Sequence, residues 1–380
     1  MTNKESVRFK VFAMTAPGVE MILARELRAM GIVPGEITAG GVAFEGKIEH
    51  VMRANLWSRV ANRITVRVDE FHASTFHELE RRAKKIEWSH YVSATQAVRF
   101  RVTCKKSRLY HSGAVTERLG NAVAAAVGGK IESDDDEESD AESQLFIVRI
   151  AHDECTISVD SSGALLHRRG YRQAVAKAPL RETLAAAMVY GSDWTPQMPL
   201  SDPLCGSGTI AIEAAMMARK LAPGVARKFA FERWQGHEAQ AWQTLLTDAR
   251  AVALAKAPAP IVASDRDAGA ITAATKNAER VGVAGDIEFR QRSISQAEFP
   301  TTPGFLVTNP PYGVRVGESA PLRNLYAQLG KVVRARAPGY AVALLSADPA
   351  LESQLRLDLR EVFRTTNGGI PVRLVVGRND

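Results

Sequence analysis

The chain has 380 residues, 46% of them hydrophobic and 24% charged, which is the make-up of a globular protein too long for a single ordinary core. No apolar run reaches the roughly 18 residues that cross a bilayer, the first residues lack an apolar signal core, and the three cysteines (Cys104, Cys155, Cys205) are scattered. A membrane protein, a disulfide scaffold and a metal site are therefore not expected, and a cytoplasmic monomer is.

The net charge of +7 is unevenly spread. Residues 1–131 hold 21 Lys/Arg against 12 Asp/Glu, an excess of nine positive charges, and residues 132–142 follow with eight acids and no base. The acidic run reads as a solvated, disordered loop that hides a strongly basic N-terminal part. Such a part favours a polyanionic partner.

In chain order, residues 7–13 alternate as a strand, and Pro17-Gly18 opens a helix with Ile22, Leu23, Leu27 and Met30 on one face. Gly31 ends that helix. Gly40-Gly41 turns the chain into a strand, and a helix over 50–56 leads to a further strand at 63–68. Residues 74–92 predict one amphipathic helix, with Phe76, Leu79, Ala83 and Ile86 inward and Arg81, Arg82, Lys84 and Lys85 outward. A strand at 98–103 runs into Lys105, Lys106, Arg108, Tyr110 and His111, a mixture of cations and rings suited to RNA backbone contact and base stacking. A helix over 112–127, the acidic run and strands at 145–150 and 155–160 close this part. Cys104 and Cys155 are read as small buried strand residues.

From about residue 166 the pattern changes to α/β, after the basic linker His167-Arg168-Arg169-Gly170-Tyr171-Arg172. Asp202-Pro203-Leu204-Cys205-Gly206-Ser207-Gly208-Thr209 is a glycine-rich strand-to-helix turn, where a ligand approaches the backbone closely. It lacks the third glycine of a dinucleotide site and the Gly-Lys pair of a phosphate loop, which removes NAD and ATP readings. Asp202 suits a cationic cofactor such as S-adenosylmethionine, which carries an ammonium and a sulfonium. Beyond an insert at 221–255, Asp265 ends an apolar strand and is placed to accept ribose hydroxyls.

The deciding motif is Asn309-Pro310-Pro311-Tyr312, at the end of the strand that starts at Phe305. An exocyclic amine on a base is a weak nucleophile, because its lone pair is delocalised into the ring. The Asn309 amide oxygen and the Pro310 carbonyl are expected to accept its N–H groups and aim the lone pair at a methyl donor. Pro310 and Pro311 stiffen the turn and Tyr312 stacks on the extruded base. Guanine N2, adenine N6 and cytosine N4 all fit this chemistry.

With these residues in hand, the chain resembles the THUMP-domain guanine-N2 RNA methyltransferases, closest to the bacterial large-subunit rRNA type. The resemblance is carried by residues 167–171, 178–185, 202–215, Ala222-Pro223-Gly224 with Trp234, and 309–315, with weaker matches at Leu325-Tyr326, Leu329-Gly330 and Asn367-Gly368. It implies a ferredoxin-like domain (1–70), a THUMP RNA-binding domain (71–165) and a Rossmann-like class I methyltransferase domain (166–380). It also implies that Pro179, Leu180, Glu182, Asp202, Cys205, Gly206, Gly208 and Thr209 surround the cofactor, with Asp265 on its ribose. Arg168, Arg169 and Arg315 are expected on RNA. Ser293 stands where such enzymes commonly have an aspartate for the adenine, which predicts weaker cofactor binding. The acidic run at 132–142 is not a feature of the family. The alternatives are a tRNA substrate, an adenine-N6 nucleic-acid methyltransferase, and an RNA-binding assembly factor without activity.

Overall fold

The computed structural model describes residues 7–132, 143–172, 180–300, 303–312 and 319–379. Among them run β1 (Phe9–Met14), α1 (Glu20–Ala29), β2 (Pro34–Thr38), β3 (Gly41–Gly46), α2 (Ile48–Trp57), β4 (Arg63–His72), α3 (Phe76–Ala83), β5 (Val98–Lys105), α4 (Ser112–Val127), β6 (Gln144–Ala151) and β7 (Glu154–Asp160). All seven strands form one sheet, in the order β2-β3-β1-β4-β7-β6-β5. The ten-residue β4 makes this possible: its first half pairs with β1 and most of its length with β7. The division expected at residue 70 falls inside that strand, so the ferredoxin-like and THUMP parts share backbone hydrogen bonds rather than a linker. β5 and β6 are parallel and joined through α4, and the other pairs are antiparallel.

The single helix expected over 74–92 is shorter. Thr75 and Glu78 cap α3 reciprocally, and the helix ends at Ala83. The Trp88 indole then donates 2.9 Å to the Ala83 carbonyl, so the chain folds back and Trp88 buries against Phe100 and Phe146. Burying an indole outweighs one more turn of amphipathic helix.

The second half contains α5 (Glu182–Gly191), β8 (Leu200–Asp202), α6 (Thr209–Ala218), α7 (Ala239–Ala251), β9 (Ile261–Asp265), α8 (Ala268–Val281), β10 (Ile287–Gln291), β11 (Phe305–Thr308), α9 (Ser319–Arg336), β12 (Tyr340–Ser346), α10 (Pro349–Glu352), β13 (Leu359–Asn367) and β14 (Ile370–Asn379). Its sheet runs β10-β9-β8-β11-β12-β14-β13, parallel except for β14, which pairs antiparallel with both neighbours. The order reverses between β8 and β11, and in open α/β sheets ligands bind at the carboxyl ends beside that point. This is the Rossmann-like class I arrangement that the resemblance implies.

Buried charges and one glycine join the halves. Arg59, at the end of α2, and Arg169 both reach the fully buried Glu213 on α6, and the Tyr171 hydroxyl donates to it at 3.2 Å. Gly18 has φ +91°, and a Cβ there would lie 1.7 Å from the Arg364 carbonyl oxygen on β13. Only glycine allows the loop before α1 to press on the second sheet. No helix among the described residues is long and apolar enough to cross a membrane.

Candidate active site

Two parallel strand tips create the centre of the site. The register sets Leu306 beside Ser201, so Thr308 and Asp202 emerge together at the carboxyl ends of β11 and β8. The Thr308 hydroxyl donates 2.7 Å to Asp202 Oδ1, which also accepts from the Leu204 amide. Asp202 is 2% exposed. Burial, with the nearby charge of Asp265 adding to it, pushes its carboxyl up to about 7 against the pull of those two hydrogen bonds. A cation beside it would restore the ordinary ionised state.

The glycine-rich turn winds over this carboxylate. The Cys205 amide donates to the Ser264 carbonyl at 2.9 Å, and the Gly206 amide to Asp265 Oδ2 at 3.0 Å. Gly206 (φ +51°) faces open space where its Cβ would be, whereas a Cβ at Gly208 (φ +81°) would meet Ala274 at 2.9 Å. Gly206 is thus the place where a ligand can touch backbone, and Gly208 the place where the turn packs on α8. Asp265 Oδ1 accepts from the Asp267 amide at 3.0 Å. A carboxylate has about four acceptor positions, so two remain for hydroxyl groups. The Cys205 thiol is buried and its pKa pushed far up by desolvation, which removes it as a nucleophile.

Immediately after Thr308 comes Asn309. Its Oδ1 is buried and has no hydrogen-bond partner among the described residues. An orphan acceptor costs about 1–3 kcal/mol unless something donates to it. Pro310 is buried and Pro311 exposed. Tyr312 is half-buried, and its hydroxyl accepts 2.7 Å from Asn367 Nδ2 in the β13–β14 hairpin, so the ring is tethered rather than free.

The structure therefore gathers Asp202, Cys205, Gly206, Gly208, Asp265, Asn309, Pro310, Pro311 and Tyr312 at one sheet edge. Ser293 follows the strand paired with β9, one residue after the Arg292 amide that donates to the Asp265 carbonyl. Its hydroxyl is engaged with Ser295 and Gln296. Leu180 is buried, and its carbonyl accepts from Arg172 at 2.8 Å. Glu182 is buried beside the same guanidinium at 3.4 Å, with its pKa raised by desolvation. The Thr209 hydroxyl also accepts from Arg172, at 2.6 Å. Glu182 and Thr209 thus face a side chain of the linker. Pro179, Arg315 and all of the acidic run beyond Glu132 lie outside the described residues.

One expectation is corrected. Arg169 is 7% exposed and its guanidinium serves Glu213, the Leu166 carbonyl and the Arg59 carbonyl, so it is buried holding the two halves together instead of standing at the surface for RNA. Arg168 is half-buried. Lys105, Lys106, Arg108, Tyr110 and His111 are all exposed, Tyr110 at 80%. They follow β5, the edge strand of the N-terminal sheet, and so stand apart from the Asn309 centre. Among the described residues no group of three or more His, Cys, Asp or Glu could hold a metal. Sequence reasoning missed the roles of Thr308, Arg172 and Asn367. Thr308 carried a local signal in its place directly before Asn309, and Asn367 one in its match to the family.

Residues 169–375 match the model of the RMKL-like methyltransferase domain, residues 10–65 the RlmL ferredoxin-like domain, and residues 73–160 the THUMP domain. The chain belongs to the RMKL-like methyltransferase family. This methyltransferase is 35% identical to "Putative RNA methyltransferase slr0064" of Synechocystis over 96% of its own length and 95% of that protein's. It is also 35% identical to the ribosomal RNA large subunit methyltransferase K/L of Syntrophotalea carbinolica, over 96% of its own chain and 53% of the other. The chain thus spans about half the length of the K/L relatives it matches. Among solved structures it superimposes on "SMU.472, a putative methyltransferase complexed with SAH" with a TM-score of 0.84, 28% identity and 98% of both chains covered. The methyltransferase uses S-adenosylmethionine. Its residues fit that cofactor: an uncompensated buried carboxylate at Asp202, open space over Gly206 and spare acceptor positions on Asp265.

Proposed function

We propose that this methyltransferase transfers the methyl group of S-adenosylmethionine to the exocyclic N2 of a guanine in RNA, with large-subunit rRNA as the substrate. The carrying observation is the buried, unpartnered Oδ1 of Asn309, one residue beyond the Thr308–Asp202 hydrogen bond. An amine N–H donating to that oxygen is drawn to the edge of the cofactor turn. The adjoining Pro310 carbonyl is placed to accept the second N–H, so the nitrogen lone pair turns out of the ring plane. Bound, the cofactor supplies a methyl group on a sulfonium. Transfer breaks the carbon–sulfur bond, forms the carbon–nitrogen bond and releases one amine proton. Asp202 faces the cationic end of the cofactor, Asp265 its ribose, and Tyr312 the plane of the base.

RNA as the substrate is supported by the names of the relatives and by the exposed cations and tyrosine after β5. Guanine is supported by the family resemblance. Label from S-adenosylmethionine should enter large-subunit rRNA transcripts as N2-methylguanosine. Asn309→Ala should lower the rate about 100-fold or more, the size of losing one oriented polar contact to the reacting group, with cofactor affinity kept. Methyladenine would overturn the guanine assignment, and label confined to tRNA would replace the substrate.

A further inference from the structure

A second feature lies beside the centre and is used by none of the roles above. A cavity of about 150 Å³ sits between the two halves of the molecule. Thr15, Val60 and Asn62 form its N-terminal wall, and Arg181, Thr183 and the hairpin residues Asn367 to Gly369 the other. Asn367 also bonds to the Tyr312 hydroxyl, so the cavity and the base-holding turn share a wall. β14 pairs with β12 so that Arg373 lies opposite Ser346, which puts the hairpin beyond the carboxyl ends of the parallel strands. The cavity therefore opens on the substrate side of the sheet.

Its lining is polar and its charge positive. Arg172 bonds to the carbonyl of Leu180 on one side of Arg181 and pairs with Glu182 on the other. The carbonyl of Arg181 accepts from the Leu184 and Ala185 amides, but its exposed side chain has no hydrogen bond or ion pair among the described residues. The adjacent acid is thus satisfied by a different arginine. Asn62 accepts from the Thr183 hydroxyl through Oδ1 at 2.8 Å, which leaves its Nδ2 without a partner among the described residues. Among the described residues no carboxylate lines this space. Burial first, and then the charges of Arg181, Arg168, Arg169 and Arg227, push His167 down to about 3, so it is neutral and Arg181 is one of the cations that face it. A water needs about 10–15 Å³ of such space, so the cavity has room for a phosphate.

We propose that this cavity is a phosphodiester subsite of the active centre, where the phosphate flanking the target nucleotide binds Arg181 and Asn62. The N-terminal half then forms one wall of the substrate site as well as a remote RNA contact. The inference rests on RNA being the substrate. It assigns to Arg181 a role that neither cofactor binding nor methyl transfer requires.

The test measures binding of a large-subunit rRNA transcript to the full chain between 50 and 200 mM salt, alongside S-adenosylmethionine affinity and methyl transfer. Arg181→Gln should bind RNA about tenfold more weakly, the effect of one charge-assisted hydrogen bond. Its dependence of log K on log salt should flatten by about 0.7–0.9, one phosphate contact, and its cofactor affinity should be unchanged. Arg181→Lys should keep the wild-type salt slope while losing part of the affinity. An unchanged slope in Arg181→Gln overturns the subsite, and so does a loss confined to cofactor binding. If Arg181→Gln fails to fold, a flattened slope in Arg181→Lys overturns it and a retained slope with weaker RNA binding supports it. Wild type that binds RNA without methylating it sinks the proposed function and leaves the slope comparison to decide the subsite. Wild type that binds no RNA overturns both.

Discussion

Replacing Asp202 by asparagine should remove the pH dependence of cofactor binding. In the free protein burial holds the carboxyl near 7, and the bonds from Thr308 and Leu204 only partly offset that cost. At pH 6 a group of pKa 7 is about one-tenth ionised, and at pH 8 about nine-tenths. The ammonium and sulfonium of the cofactor favour the ionised form, so the proton must leave on binding. Affinity at pH 6 should therefore be about tenfold below its value at pH 8, a difference of ~1.4 kcal/mol. Calorimetric titration with S-adenosylmethionine from pH 5.5 to 8.5 reads this directly. The cofactor's own amino group titrates near the top of the range, so the ratio of wild-type to Asp202→Asn dissociation constants at each pH is the quantity to plot. A ratio that does not change between pH 6 and 8 would refute the reasoning. The sign for folding is opposite. The folded state keeps a proton that the unfolded chain releases near pH 4, so without cofactor stability should fall as pH rises from about 4 to about 7.

Two further perturbations probe the supports of the site. Asn367→Ala and Tyr312→Phe each cut the same hydrogen bond, so their effects on kcat/KM should be non-additive by about 1 kcal/mol in a double-mutant cycle; additive losses would show that the tether does not position the ring. Glu213→Gln leaves the buried guanidinium groups of Arg59 and Arg169 without a countercharge and should lower unfolding stability by about 3 kcal/mol or more, read from the denaturant midpoint. A change under 1 kcal/mol would mean that their bonds to backbone carbonyls suffice.

What the sequence made legible was local. The turn from Asp202 to Thr209 and the motif from Asn309 to Tyr312 each lie within a few residues of chain, so their placement at strand ends could be read from residue types and spacing. The α/β pattern of the second half followed from the same periodicities, and Asp265 from its place at a strand tip. Arg169 failed as an RNA contact because two of its partners, Arg59 after α2 and Glu213 on α6, lie far along the chain, and an arginine in a basic linker reads as surface. The helix over 74–92 failed because its outer end depends on where Trp88 buries, a tertiary fact. The shared sheet was hidden because β4 alternates like any other strand. Nothing in its ten residues says that they pair with two different partners.

That shared strand turns the N-terminal half into a ruler. Three strand spacings separate β4 from β5, about 14 Å at ~4.8 Å each. Beyond β5 the cations and Tyr110 project, while the other side of the same sheet is clamped to the second half by Gly18 and Glu213. The shared strand and the clamp limit how far the basic loop can shift relative to Asn309. On the proposed function, an RNA would qualify by presenting its extruded base at the matching span from a backbone surface. A sequence match displaced by one helical turn would be gripped and left unmodified.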